Sequence, residues 1–112
     1  MKKVEAVIRP ERIEAVKEAL ARVGVRGLTA TEAIGAGNQR GRVHTYRGST
    51  VTLDLLPKIR LEVIVRDAEV DQVVEALCEA ACTGEVGDGK IFISPVEEVI
   101  RIRTRERGEK AI

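Results

Sequence analysis

Two stretches of strict alternation, each followed by a helical stripe and another apolar strand, limit the folds open to this chain more than any other feature. From Lys2 to Arg9, Val4, Ala6 and Ile8 alternate with Lys3, Glu5 and Arg9, which is the period of a half-buried strand. Pro10 suits a first helical turn, and Glu11 suits the positive end of a helix dipole. Ile13, Val16, Leu20 and Val23 follow at steps of three, four and three, making one apolar stripe. Gly24 marks the end of that helix, Gly27 opens the next strand, and Leu28 to Ile34 reads as strand. The order then repeats. Ile59, Leu61, Val63 and Val65 alternate with Lys58, Arg60, Glu62 and Arg66. Asp67 suits an N-cap, and Val70, Val73, Val74 and Leu77 line a helix to about Ala81. Lys90 to Ser94 is a fourth strand stopped by Pro95, and Val99 to Arg103 reads as a short fifth.

Strand, helix, strand, twice within 112 residues, predicts one α+β domain spanning residues 1–112. Its order is ferredoxin-like, βαββαβ, with a long loop between strands 2 and 3. Two helices cover only one face of the sheet. The other face presents Val7 and Ile64 among charged residues, and copies of the same chain are its economical cover, so a small homo-oligomer is expected. A net charge of +1 argues against bulk attraction to nucleic acid or an acidic membrane. Tyr46 and Phe92 are the only aromatics, too few for a base-stacking platform. With no membrane-length apolar run and no signal-peptide core, the chain reads as cytoplasmic. Cys78 and Cys82 lack two further zinc ligands, His44 being far away in sequence, and read as small buried or half-buried thiols.

The stretch Thr83 to Ile93 groups Gly84, Gly87 and Gly89, closes on Lys90 and runs on into a strand. Clustered glycines let backbone amides turn inward around an anion, and Lys90 adds a point charge. The spacing from Gly84 to Gly89-Lys90 mimics a Walker A element, but Ile91 stands where a Ser or Thr should hold Mg²⁺. The loop also leaves a helix for a strand, so no helix N-terminus assists. Phosphates bound here need cations and a metal ligand from elsewhere in the chain; a glycine-rich turn with a solvated lysine stays open. Residues 35–57 show neither period, which marks a functional or disordered connection. Within them Gln39 is a neutral oxygen ligand suited to Mg²⁺ already crowded by phosphate oxygens, with a plain surface hairpin as the alternative. Arg101 and Arg103, two apart on a strand, match a phosphate chain or else form a solvated basic face beside Glu97, Glu98 and Glu106.

Taken together, Lys2 to Pro10, Gly24 to Thr29, Tyr46-Arg47-Gly48, Leu56-Pro57-Lys58, Thr83 to Ile93 and Val99 to Thr104 carry a resemblance. Over essentially its full length the chain resembles the PII signal-transduction proteins, sensors of nitrogen status. The resemblance implies a homotrimer that binds ATP or ADP between subunits and takes up 2-oxoglutarate with MgATP. It implies nucleotide contacts at Thr29, Gly35, Gly37, Asn38, Gln39, Ile64, Gly87, Asp88, Gly89 and Lys90, with Arg101 and Arg103 reaching in from the neighbouring subunit. By the same resemblance Gln39 holds Mg²⁺, and 2-oxoglutarate meets Arg9, Gln39, Lys58 and Gly87. Residues 37–55 correspond to the mobile T-loop through which such proteins touch their targets, without catalytic residues of their own. An ammonium channel, an amino-acid biosynthetic kinase and a nucleotidyltransferase are all consistent targets. No direct nucleic-acid contact is implied, and a membrane is met only through a membrane-protein target.

Departures from the family pattern qualify these expectations. Val51 stands where the family's uridylylated tyrosine falls, which excludes that modification; Tyr46 matches a tyrosine not usually modified. Ser49 matches a position phosphorylated in some relatives. Asn38 replaces a basic residue, Ala36 an aromatic and Arg105 a glycine, so Asn38 bears on phosphate affinity and Ala36 on the 2-oxoglutarate response. Two rival readings are a PII-like sensor of another ligand, adenylate or bicarbonate, and a ferredoxin-like phosphotransferase using His44. The first tends to lose Gly87 to Lys90 and the Arg101/Arg103 pair; the second needs a rigid site with a partner that orients the histidine.

Overall fold

A computed structural model describes residues 1–36, 43–46, 49–52 and 55–112, with 43–46 and 49–52 as backbone alone. The elements are β1 (Lys2–Ile8), α1 (Ile13–Arg22), β2 (Thr29–Gly35), β3 (Val43–Tyr46), β4 (Ser49–Thr52), β5 (Leu56–Val65), α2 (Val70–Ala81) and β6 (Lys90–Pro95). β2, β5, β1 and β6 pair in that order in one antiparallel sheet, the ferredoxin-like arrangement expected from the repeated pattern. Single 3₁₀ turns, Pro10–Arg12 and Asp67–Glu69, lead into the two helices. α1 stops where Gly24 takes φ +88°. There the Gly24 amide donates to the Ala21 carbonyl at 3.1 Å and the Val25 amide to that of Leu20 at 3.0 Å, a Schellman closure that requires the left-handed residue.

The core lies between the helices and one face of the sheet. Val4, Ala6, Ile8, Leu61, Val63 and Val65 meet Val16 and Leu20 of α1 and Val73, Leu77 and Ala81 of α2. Removing each Val or Leu from water contributes about 1.5–3 kcal/mol before chain entropy is counted. No polar side chain is buried among the described residues. Arg12 ties the start of α1 to the end of α2: its Nε and Nη2 donate to the Ala80 carbonyl at 2.9 and 2.7 Å, occupying one of the carbonyls a helix leaves open. On the helix-free face, register places Val7 beside Arg60 and Lys90, Glu5 beside Glu62 and Phe92, and Lys3 beside Ile64.

Four expectations need correction. Residues 35–57 contain strand after all. β2 runs to Gly35, β5 begins at Leu56, and β3 pairs with β4 as a separate hairpin with Val43 opposite Thr52. A two-stranded ribbon in a sheet of its own is not required to alternate with the main core, so period carries no signal there. Asp67 is not an N-cap: Arg66 holds that place, without a side-chain bond. Its carboxylate takes the amino terminus at 2.9 Å and Lys2 at 3.8 Å instead, a charge-assisted bond that outcompetes capping and holds Asp67 below the ordinary carboxylate range. Val99 to Arg103 is not a strand. Only Ile100 forms a bridge, to Arg107, because the Arg105 amide bonds the Arg101 carbonyl at 2.7 Å and turns the chain back. Finally, Cys78 and Cys82 are both exposed. The buried stripe of α2 runs through Val73, Leu77 and Ala81, and each cysteine falls one residue, about 100°, past it.

Candidate ligand-binding site

Between α2 and β6, residues 83–89 form a loop whose backbone only glycine tolerates in places. Gly84, Gly87 and Gly89 take φ +87°, +103° and +106°. At Gly89 a Cβ would lie 1.6 Å from the Val7 carbonyl oxygen, so the loop presses directly on β1. Asp88 is the brace. One of its oxygens accepts from the Thr83 amide at 2.7 Å and the Gly84 amide at 3.0 Å. The other accepts from the Thr83 hydroxyl and, at 3.0 Å, from Arg9 Nε. The Thr83 hydroxyl and amide, then Arg9 and Gly84, hold its carboxyl far below the usual range. Arg9 Nη2 also donates to the Val86 carbonyl at 2.7 Å, and Lys58 Nζ to the Gly87 carbonyl at 2.7 Å. Burial and the nearby Arg9 push the Lys58 ammonium down from its ordinary value, partly offset by Glu11 and Asp88.

The loop walls a cleft of 690 Å³ that Gly35, Lys58, Gly87, Asp88, Gly89 and Lys90 share with Val7, Ala36 and Phe92. Thr29 and Ile64 line a second cleft, of 680 Å³, together with Gly27, Glu62 and the C-terminal Ile112. Both lie along the β2–β5 pair, Thr29 opposite Glu62 at one end and Gly35 opposite Leu56 at the other. Six residue steps along the strand separate the ends, about 20 Å at roughly 3.3 Å per step. Lys90 is exposed at the start of β6, opposite Val7.

Other candidates sit apart from these clefts. Arg9 lies behind the loop on Asp88 and Val86 and does not line the first cleft. Arg101 faces Glu106 at 3.2 Å and the Lys110 carbonyl at 3.1 Å, Arg103 is exposed in the following turn, and neither lines either of these two clefts. Gly37, Asn38 and Gln39 fall outside the described residues, as does the side chain of Ser49. Most of the proposed T-loop, 37–55, lies there too, its described part being the β3–β4 backbone and Leu55. Among the described residues no three His, Cys, Asp or Glu side chains gather as a metal site.

Spacing alone missed the bracing of the loop. Arg9 and Asp88 are 79 positions apart, and no local pattern joins residues at that separation. Nor does turn chemistry signal it, since an Asp in a turn commonly bonds an amide two residues on, whereas Asp88 reaches back to the amides of Thr83 and Gly84.

A family model described as Nitrogen regulatory protein P-II matches residues 1–106. The chain belongs to the P-II nitrogen regulatory family. It is 53% identical over 112 residues to a "Nitrogen regulatory protein P-II" of Azospirillum brasilense, each chain covered in full. A protein so described from Rhizobium meliloti (strain 1021) is 54% identical, again over the whole of both chains. A "Nitrogen regulatory protein P-II 2" of Methanothermobacter thermautotrophicus is 53% identical, all of this chain aligning with 97% of that one. P-II is a family of regulators, and the glycine loop described above lies within the matched region.

Proposed function

We propose that this P-II chain is a non-enzymatic regulator that binds ATP or ADP between the subunits of a homotrimer and acts on target proteins through residues 37–55. One observation carries the reading: the Gly87 to Lys90 backbone is braced from behind by Asp88 and Arg9 and faces a cleft that also holds Lys58. The Asp88 carboxylate already accepts four hydrogen bonds, which fills its acceptor sites. What the loop offers a ligand is therefore main-chain amides, as phosphate oxygens require, with Lys90 as a point charge. Thr29 and Ile64 would hold the nucleoside end and Gly35, Gly37 and Asn38 the connection. Arg101 and Arg103 would come from the neighbouring subunit, as the family resemblance implies, and neither lines these two clefts.

With MgATP in place, Gln39 would hold the metal, and 2-oxoglutarate would add a carboxylate beside Lys58 and Gly87. Arg9 would support that ligand through Asp88. A metal held by Gln39 would supply charge neutralisation for the anionic ligands. Lys58 is bonded to the Gly87 carbonyl in the free chain, so a dicarboxylate that takes this ammonium also alters the nucleotide loop. Ligands then act by differential affinity for T-loop arrangements, and a target binds one arrangement better. An ammonium channel, an amino-acid biosynthetic kinase or a nucleotidyltransferase is the class of target proposed, met in the cytoplasm. Among the described residues no helix is long and apolar enough to cross a membrane.

Isothermal titration tests the reading. ATP and ADP each give saturable heat, and Lys90→Ala weakens both about tenfold or more, the worth of one charge-assisted bond. Gln39→Ala abolishes MgATP-dependent 2-oxoglutarate binding and spares ADP. No heat with either nucleotide at millimolar concentration overturns the proposal. Binding of 2-oxoglutarate without Mg²⁺ or ATP overturns the metal bridge.

A further inference from the structure

Beside the same loop stand two cysteines that the proposed nucleotide site does not use. Cys78 and Cys82 are free and exposed, and both line a cavity of 370 Å³ with Leu77, Asp88, Gly89 and Lys90. The Cys82 amide donates to the Cys78 carbonyl at 3.0 Å, so the two residues stand one helical turn apart on one side of α2, Cys82 at its C-cap. Helix geometry sets their Cβ atoms roughly 5–6 Å apart. A disulfide needs roughly 3.5–4.5 Å and would require the helix end to give way. A single ion bonded to both sulfurs spans the gap without that cost.

We propose that Cys78 and Cys82 form a two-thiolate site for a soft monovalent cation, copper(I), coupled to the glycine loop. Thiolates select soft ions. Zinc needs four ligands, and no third His, Cys, Asp or Glu joins a cluster among the described residues. On binding, both thiols lose their protons to solvent, and the ion with its two thiolates carries one net negative charge. Lys90, at the start of β6, adjoins the same cavity, with its side chain on the helix-free face of the sheet beside Val7. Asp88 borders the cavity too, and its carboxylate is spent on Thr83, Gly84 and Arg9. The coupling is covalent and short. Cys82 precedes Thr83, whose amide and hydroxyl hold Asp88, so an ion that pins Cys82 also stiffens the loop that faces the nucleotide cleft.

The test titrates the reduced full-length protein anaerobically with copper(I) against a chromogenic copper(I) chelator. The wild-type chain is expected to withdraw one ion per chain. Cys78→Ser and Cys82→Ser, isosteric and exposed and checked for folding by circular dichroism, are expected to leave the ion with the chelator. Wild-type binding by either variant, no binding by the wild type, or one ion shared by two chains overturns the site. Hydrogen exchange across 83–89 is expected to slow when copper(I) is bound, and unchanged exchange overturns the coupling. No nucleotide or 2-oxoglutarate is present, so failure here leaves the proposed function standing.

Discussion

Gly89 and Arg105 show the same backbone constraint met in opposite ways. Gly89 has φ +106° and no room for a methyl group against the Val7 carbonyl. Gly89→Ala is therefore expected to destabilise the fold by at least about 2 kcal/mol, as strain and a steric clash combine, read from the midpoint of urea unfolding. Arg105 has φ +63° with a side chain in place. A left-handed non-glycine residue costs about 1–2 kcal/mol, and glycine returns part of that to the unfolded chain. Arg105→Gly should raise stability by up to about 1 kcal/mol in the same assay; a fall would show that Arg105 makes an offsetting contact. At Asp88 the folded-state pKa is depressed by Thr83 and Arg9. Its stabilising contribution is thus complete above the ordinary carboxylate pKa of about 4 and fades as pH falls below it. Asp88→Asn is expected to flatten stability against pH in that acidic window, as followed by thermal unfolding from pH 7 downward.

At the scale of elements, the regular pieces were legible because each buries a face. The stripes of α1 and α2 and the alternation of β1 and β5 are the residues that form the core, and burial writes a period into a sequence. β3 and β4 make a sheet apart from that core, and residues 35–57 carried no such period. The segment after β6, expected as a strand over Val99 to Arg103, follows instead a turn stabilised by the Arg105 amide. Contacts between elements were equally hidden. Arg12 caps α2 at Ala80 from 68 positions away, and Arg12→Ala should cost about 1.5–3 kcal/mol, the worth of a hydrogen bond from a charged donor. Amide exchange should rise first at the C-terminal end of α2, and loss spread evenly over the chain would contradict a local cap.

For the molecule as a whole, the helices cover one face of the sheet and leave Val7, Ile64 and a 53%-exposed Phe92 on the other among charges. An apolar group that a monomer leaves in water is the mark of a partner surface, and the family membership favours copies of this chain as that partner. Sedimentation should show a trimer at micromolar concentration. Phe92→Asp, placed beside Glu5 in the pairing of β1 with β6, should dissociate it while leaving the circular dichroism of the fold intact. A wild-type monomer under those conditions would remove the subunit clefts and, with them, the role proposed for Arg101 and Arg103.

From the sequence alone came the four core strands, both helices, the helix-free face and the glycine–lysine loop, because periodicity and glycine's freedom are local properties of a chain. Only the tertiary structure decided that Asp88 and Arg9 brace this loop, that Lys58 bonds its Gly87 carbonyl, and that Thr29 and Gly35 line separate clefts. Those facts join residues tens of positions apart, and their partners are chosen by how the sheet pairs and the helices pack, which no short interval of sequence records.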